Sequence, residues 1–195
     1  MELFLATKNK HKVIEFQRIL APLGIKVLSE KDLDTPLSEV DETGTTFKEN
    51  AFLKAEAAMM ETGLPSVADD SGLCVDYLDG APGIYSARFA GEPTDNQKNN
   101  EKLLSLLGDI PMEKRTARFI SAIACVFPDG RRFYAEGACE GHIGFEPEGE
   151  NGFGYDPLFI SSIGCFGTLP DAQKDSVSHR GVALENFCKV LKDNI

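Results

Sequence analysis

Val67-Ala68-Asp69-Asp70-Ser71-Gly72-Leu73-Cys74-Val75 sets two adjacent carboxylates, a hydroxyl and a glycine between apolar flanks. The pattern reads as a short strand whose end presents two anions at a bend, where glycine allows a turn or a close approach. Paired acids on a rigid strand end suit Mg²⁺, which takes oxygen ligands and keeps several waters. Asp-Ser-Gly is also ordinary turn chemistry, so the stretch alone does not decide between the two.

The segments around it supply an anion site. Glu2-Leu3-Phe4-Leu5-Ala6 reads as a buried strand, and Thr7-Lys8-Asn9-Lys10-His11-Lys12 follows it. Val13, Phe16, Ile19 and Leu20 then recur at helical spacing until Pro22 and Gly24. Strand, polar turn and helix aim backbone N–H groups and a dipole at an anion, and three lysines in the turn favour phosphate. The turn lacks the glycines of a Walker loop, so a solvated helix start remains the plainer alternative.

Ile25 to Leu28 reads as a second strand, and Thr46-Phe47-Lys48-Glu49 as a capping box opening a helix that runs to about Glu61. Asn50 and Lys54 share a face of that helix. Glu42 precedes the helix, and Asp69-Asp70 follow it on the returning strand, so packing can bring Glu42 to the acid pair. Further on, Thr94 is expected to cap a helix ending at Leu107. Ala117 to Phe127 and Arg131 to Glu140 are expected to form a hairpin through Pro128-Asp129-Gly130. Gly152-Phe153-Gly154-Tyr155-Asp156-Pro157 is a glycine-aromatic loop in which Phe153 is read as an exposed face. Ser161 to Asp171 is expected to be mobile, and a last helix starts at Ser178-His179-Arg180-Gly181.

With 195 residues, 42% hydrophobic and 26% charged, the chain suits one globular domain over residues 1–195, with room for two lobes. A net charge of −11 disfavours nucleic acid and anionic membrane as partners, although lysines and a cation can invert the sign within one site. No apolar run reaches the roughly 18 residues of a membrane span. Five scattered cysteines without a Cys-x-x-Cys, and three histidines without metal spacing, suggest neither disulfides nor zinc; a cytoplasmic setting is expected.

Thr7-x-Asn9-x-x-Lys12, Glu42-Thr43-Gly44 before Thr46-Phe47-x-Glu49-Asn50-Ala51, Ala68-Asp69-Asp70-Ser71-Gly72-Leu73, Gly80-Ala81-Pro82-Gly83-Ile84-Tyr85-Ser86-Ala87-Arg88, Gly152 to Pro157 and Ser178 to Gly181 occur in one order. In that order they resemble the inosine triphosphate pyrophosphatase family, over nearly the whole chain. The resemblance implies an α/β fold, a curved mixed β-sheet with flanking helices in two lobes around a central cleft, and a homodimer. It implies Mg²⁺-dependent hydrolysis of ITP, dITP and XTP to the monophosphate and pyrophosphate, which clears these purine nucleotides from the pool.

Carried over residue by residue, the resemblance gives Thr7, Lys8, Asn9, Lys10, His11, Lys12 and Lys54 to the triphosphate. Glu42 and Asp70 go to the metal, Asp70 also to proton acceptance from the attacking water, and Ser71 to the substrate. Phe153, Gly154, Tyr155, Asp156, Lys174, His179 and Arg180 go to the base. Asp69 stays outside this set, as a group that orients Asp70 or accepts an N–H. The chain departs from the family's Phe-Ala-Glu-Leu-like run at Phe166-Gly167-Thr168-Leu169-Pro170. A Maf-like pyrophosphatase would need other base-pocket residues, and a non-catalytic nucleotide-binding module would not need the full acid set.

Overall fold

Why the acids can sit where they do follows from the strand that carries them. In a computed structural model, which describes residues 1–194, seven strands form: β1 (Glu2–Leu5), β2 (Lys26–Leu28), β3 (Ser66–Val75), β4 (Thr116–Val126), β5 (Arg132–Ile143), β6 (Phe159–Ser161) and β7 (Gly164–Cys165). They make one open sheet in the order β2-β1-β3-β4-β5-β6-β7. It is mixed: β1 runs parallel to both β2 and β3, while β6 runs antiparallel to β5 and to β7. The flanking helices are α1 (Lys10–Leu20), α2 (Phe47–Thr62), α3 (Asn96–Leu107), α4 (Asp171–Val177) and α5 (His179–Asn194).

The chain divides into two compact units. Among the described residues, the first holds 1–70, 121–137 and 180–194; the second holds 71–120 and 138–179. In the first, Leu3, Leu5 and Val67 of the parallel strands bury against Phe16 and Leu20 of α1 and Leu184 and Phe187 of α5. A separate cluster packs Ala51 and Ala55 of α2 on Ala68, Ala122 and Ala124. With only methyl groups between them, helix and sheet approach closely, which places the polar side chains of α2 over β3. In the second unit Leu73, Leu103, Leu107, Phe119, Phe159 and Phe166 share one apolar cluster.

Three expectations need correction. The strand that carries Asp69 and Asp70 does not end in a bend: β3 continues through Ser71 and Gly72 to Val75. Asp95, not Thr94, caps α3, its carboxylate accepting the Lys98 N–H at 3.1 Å. Ser161 to Asp171 is built into the fold: β6 and β7 form a small hairpin, and Phe166 and Leu169 are buried in the second unit's apolar cluster. Its polar, glycine-containing composition hid a turn between two apolar anchors.

Candidate active site

The polar turn after β1 closes with Asn9 as N-cap of α1, its side-chain oxygen accepting the N–H groups of His11 and Lys12 at 2.9 and 3.3 Å. Thr7 Oγ1 accepts the Asn9 N–H at 3.2 Å. Lys10 and His11 lie exposed at the helix start, and Lys8 reaches Glu39 at 3.1 Å, also in solvent. The N-terminus of α1 therefore presents its cations outward, apart from Lys12.

Lys12 turns inward. Its ammonium pairs with Asp69 Oδ2 at 2.8 Å and donates to the Asp69 carbonyl at 3.2 Å. The same carboxylate receives the Arg180 guanidinium at 3.1 and 3.2 Å, and its other oxygen accepts the Ser121 hydroxyl at 2.5 Å. Arg180 also pairs with Glu15, a buried acid on the apolar side of α1. Burial alone would push the Asp69 carboxyl up, but Arg180 and Lys12 outweigh it and hold the group well below the usual carboxylate range. Asp69 is thus a permanently ionised anchor for two cations.

Its neighbour is set up differently. Lys54, on α2, donates to Asp70 Oδ1 at 2.6 Å and to the Asp69 carbonyl at 3.2 Å, and pairs with Glu42 at 3.1 Å. Glu42 and Asp70, 28 residues apart in sequence, are thereby gathered on one ammonium, as the order of loop, helix and returning strand suggested. Burial pushes the Asp70 carboxyl up, more than Lys54 pulls it down. Lys54 resists the same burial because Asp70 and Glu42 keep it charged. Asp70 Oδ2 is buried and has no hydrogen-bond partner in the protein.

That oxygen bears on the metal. A buried carboxylate oxygen without a donor is costly unless a ligand meets it. Among the described residues no three His, Cys, Asp or Glu side chains gather as a complete metal cage. Two carboxylates are what Mg²⁺ takes when substrate phosphates and water fill the other positions. Glu42 and Asp70 fit that pattern, whereas zinc would need nitrogen or sulfur ligands.

In the second unit the glycine-aromatic loop is organised by Asp156. Its Oδ2 accepts the Phe153 N–H at 2.7 Å and pairs with Lys174 of α4, also at 2.7 Å. Lys174 Nζ lies 5.3 Å from the centre of the Phe153 ring and 5.7 Å from that of Phe166, a cation over aromatic faces. His179 stacks on Phe119 with ring centres 4.6 Å apart. Tyr155 is buried, its hydroxyl donating to the Ser86 carbonyl at 2.8 Å. Asn100 Nδ2 holds the Gly154 carbonyl at 3.1 Å. Phe153 and Gly154 line a cavity of about 490 Å³, within the size range of small-molecule sites.

The departure at Gly167 is explained here. A Cβ at Gly167 would lie 2.1 Å from the Glu148 carbonyl oxygen, and the Gly167 carbonyl accepts the Asn151 N–H at 2.9 Å. The glycine lets this segment lie directly on the loop that carries Phe153 and Asp156.

Of the residues singled out from sequence, Lys12, Lys54, Glu42 and Asp70 are all in the first unit, and Phe153, Asp156, Lys174 and His179 in the second. Ser71 begins the second unit's share of β3. Arg180 opens the first unit's share of α5, with its guanidinium on Asp69 and Glu15. Sequence reasoning missed Glu15, Ser121 and Asn100. An acid among Val13, Phe16 and Ile19 of an amphipathic helix was the available signal for Glu15; for the other two there was none.

Comparison with known proteins identifies the family. The Ham1 family profile matches residues 3–190. A dITP/XTP pyrophosphatase of Desulforamulus reducens is 52% identical over 193 residues, covering 98% of this chain and 96% of that protein. One from Haemophilus influenzae is 50% identical, with 100% and 98% covered. Among solved structures, the Staphylococcus aureus Ham1 protein superposes with a TM-score of 0.86 at 38% identity over the full length of both chains. A HAM1 protein from Coxiella burnetii gives 0.88 at 38% identity, covering 99% of each. Matched by that profile over residues 3–190 and by these relatives over nearly its full length, the chain belongs to the Ham1 family.

Proposed function

We propose that the chain is a nucleoside triphosphate pyrophosphatase that hydrolyses dITP, XTP and ITP to the monophosphate and pyrophosphate. Relatives that match it end to end are named dITP/XTP pyrophosphatases. The observation that carries the proposal is the gathering of Asp70 and Glu42 on Lys54, with Asp70 Oδ2 buried and unmet in the protein.

Glu42 and Asp70 would hold a Mg²⁺ ion, whose chemistry is to neutralise phosphate charge and improve pyrophosphate as a leaving group. An ammonium has three donors. Two of Lys12's face Asp69, leaving one for a phosphate oxygen, whereas all three of Lys54's are engaged, so phosphate reaches Lys54 by replacing a carboxylate. Thr7 to His11 add the exposed cations and N–H groups of the α1 start. Asp70, its carboxyl raised by burial, accepts the proton of a water that attacks the α-phosphorus in line. Ser71, next to it on β3, contacts the substrate.

Phe153 gives the base a face to stack on, with the Gly154 and Tyr155 backbone beside it and Asp156 fixing the loop. Lys174 and His179 offer donors to a 6-oxo group, where adenine presents an amino donor. Arg180 belongs to the same assignment by resemblance, but its guanidinium is already met by two carboxylates, so discrimination is assigned first to Lys174 and His179. The homodimer rests on the resemblance and the cytoplasmic setting on the scattered, unpaired pattern of cysteines in the sequence; sedimentation of the purified chain checks the dimer.

Pyrophosphate release across a nucleotide panel tests the whole assignment. We expect kcat/KM for dITP, XTP and ITP at least about 100-fold above ATP, since two unmet groups at roughly 1–3 kcal/mol each suffice. In ¹⁸O-water the label should enter the monophosphate. Equal use of ATP, or stepwise release of orthophosphate, would refute it.

A further inference from the structure

The loop that carries Glu42 has no secondary structure of its own, yet the assigned chemistry needs its carboxylate in one place. The first turn of α2 holds it. Asn50 is fully buried, and its Oδ1 accepts the Gly44 N–H at 2.8 Å. One residue further, Glu49 accepts both the N–H and the hydroxyl of Thr45, at 2.7 and 2.9 Å. The helix cap proper is made by Thr46 Oγ1, which accepts the Glu49 N–H at 3.2 Å. Glu49 therefore extends the capping box, clasping the loop behind the cap residue as well as the cap residue's own N–H.

The clasp is close. A Cβ on Gly44 would lie 2.6 Å from Asn50 Oδ1 and 2.7 Å from Glu49 Cβ. Only glycine allows the backbone to press onto Asn50 in this way. Asn50 Nδ2 is buried without a protein partner. Burying this amide is expensive, so helix packing alone does not account for an asparagine among the alanines of α2.

We propose that Asn50, through Gly44, is the positioning residue that fixes Glu42 for cation binding. The proposal rests on the assignment of Glu42 to the metal. The same helix supplies Lys54, so one rigid element sets both the carboxylate and the ammonium it faces. Groups that orient a metal ligand typically contribute about 10–100-fold to metal affinity.

The test uses Mn²⁺ binding to the intact protein without nucleotide, followed by electron paramagnetic resonance of the free ion, beside the Mg²⁺ dependence of dITP hydrolysis and the melting temperature. Asn50→Leu removes the acceptor at similar size, and Gly44→Ala forces the loop off it with α2 untouched. Both should weaken Mn²⁺ binding about 10-fold and raise the Mg²⁺ needed for half-maximal turnover in step, with kcat at saturating Mg²⁺ within about threefold. Asn50→Asp keeps an acceptor for the Gly44 N–H and should bind Mn²⁺ within about threefold of the unmodified chain. Should Asn50→Leu fail to fold, Gly44→Ala carries the comparison. A lower melting temperature in Asn50→Leu and Gly44→Ala, with Mn²⁺ and Mg²⁺ dependence unchanged, would make Asn50 merely structural. Glu42→Gln separates the layers. If it abolishes Mn²⁺ binding while Asn50→Leu and Gly44→Ala do not weaken it, the clasp fails alone; if it leaves binding intact, the metal assignment fails and takes the clasp with it.

Discussion

The two units hold their charged side chains by different means. In the first, carboxylates and cations are shared: Lys54 serves Asp70 and Glu42, and Asp69 serves Lys12 and Arg180. In the second, the buried pair Asp156 and Lys174 is pinned by a backbone N–H and faced by aromatic rings, while the shared pairs of Arg118 with Asp76 and Glu140 lie toward solvent. A shared network can redistribute when a polyanion and its counter-ion arrive, because each cation can exchange one partner for another. A single pinned pair cannot, so it offers a fixed shape and a fixed donor. The first arrangement suits phosphate chemistry and the second suits choosing a base.

Within the first unit the adjacent acids differ again, and their amide variants should separate cleanly. Asp70→Asn should lower kcat at saturating dITP and Mg²⁺ by about 10³-fold, the scale of a lost general base. It should cost less in melting temperature than the loss of Asp69, because burial already disfavours the Asp70 charge and Glu42 still pairs with Lys54. Near-normal kcat would remove Asp70 from its role.

Asp69→Asn should do the reverse. It strands Lys12 and Arg180 in a buried site, and breaking such a pair costs about 3–5 kcal/mol, or roughly 10 °C in melting temperature. The sign of the pH dependence follows from the direction of the shift. The folded-state pKa lies below the unfolded value of about 3.9, so the stability Asp69 contributes is full above that pH and is lost as pH falls further. The gap between variant and unmodified chain should therefore be widest near neutrality and close below about pH 4. A variant as stable as the unmodified chain at pH 7 would contradict the anchor role.

These two acids also show what the sequence could and could not reveal. The approach of Glu42 was legible because a strand, a helix and a returning strand leave few ways to pack. The cap at Thr46 was legible because the chemistry is local. The ion network was not: Arg180 lies 111 residues from Asp69 and 165 from Glu15, and no local pattern encodes a contact at that separation. Nor could a strand end with two exposed anions be told from a continuous strand with two buried ones. That outcome is decided by cations from α1, α2 and α5, each outside the stretch itself. The order of Ser161 to Asp171 was hidden because its apolar anchors, Phe166 and Leu169, are few and its turn residues many.

For the second unit, Asp156→Asn should test the pinned pair. The variant leaves Lys174 without its carboxylate and turns one acceptor into a donor facing the Phe153 N–H. We expect kcat/KM for dITP to fall about 10–100-fold, equal to roughly 1.4–2.7 kcal/mol, with the preference over ATP narrowed. The Mg²⁺ dependence should stay as it was, since the pair belongs to the second unit and Glu42 and Asp70 to the first. A change in Mg²⁺ dependence with selectivity intact would reverse the division of labour between the units.

The smallest effect is expected where charge is present but solvent is too. Lys8 belongs to the same lysine cluster as Lys12, yet its pair with Glu39 leaves the two side chains 59% and 90% exposed. Exposed pairs are worth about 0–1 kcal/mol, because water screens them and ordering two long side chains costs entropy. Lys8→Met should therefore leave the melting temperature unchanged and raise KM for dITP by at most about threefold at low ionic strength. That increase should vanish toward 0.5 M salt, where the screening length drops to roughly 4 Å. A buried cation behaves otherwise: the contribution of Lys12, beside Asp69, should survive the same salt. If Lys8→Met instead cost as much as the loss of a buried lysine, and salt did not erase the difference, the triphosphate would have to be gripped at the exposed start of α1. The shared network over β3 would then be scaffolding, and the contrast drawn between the units would fail.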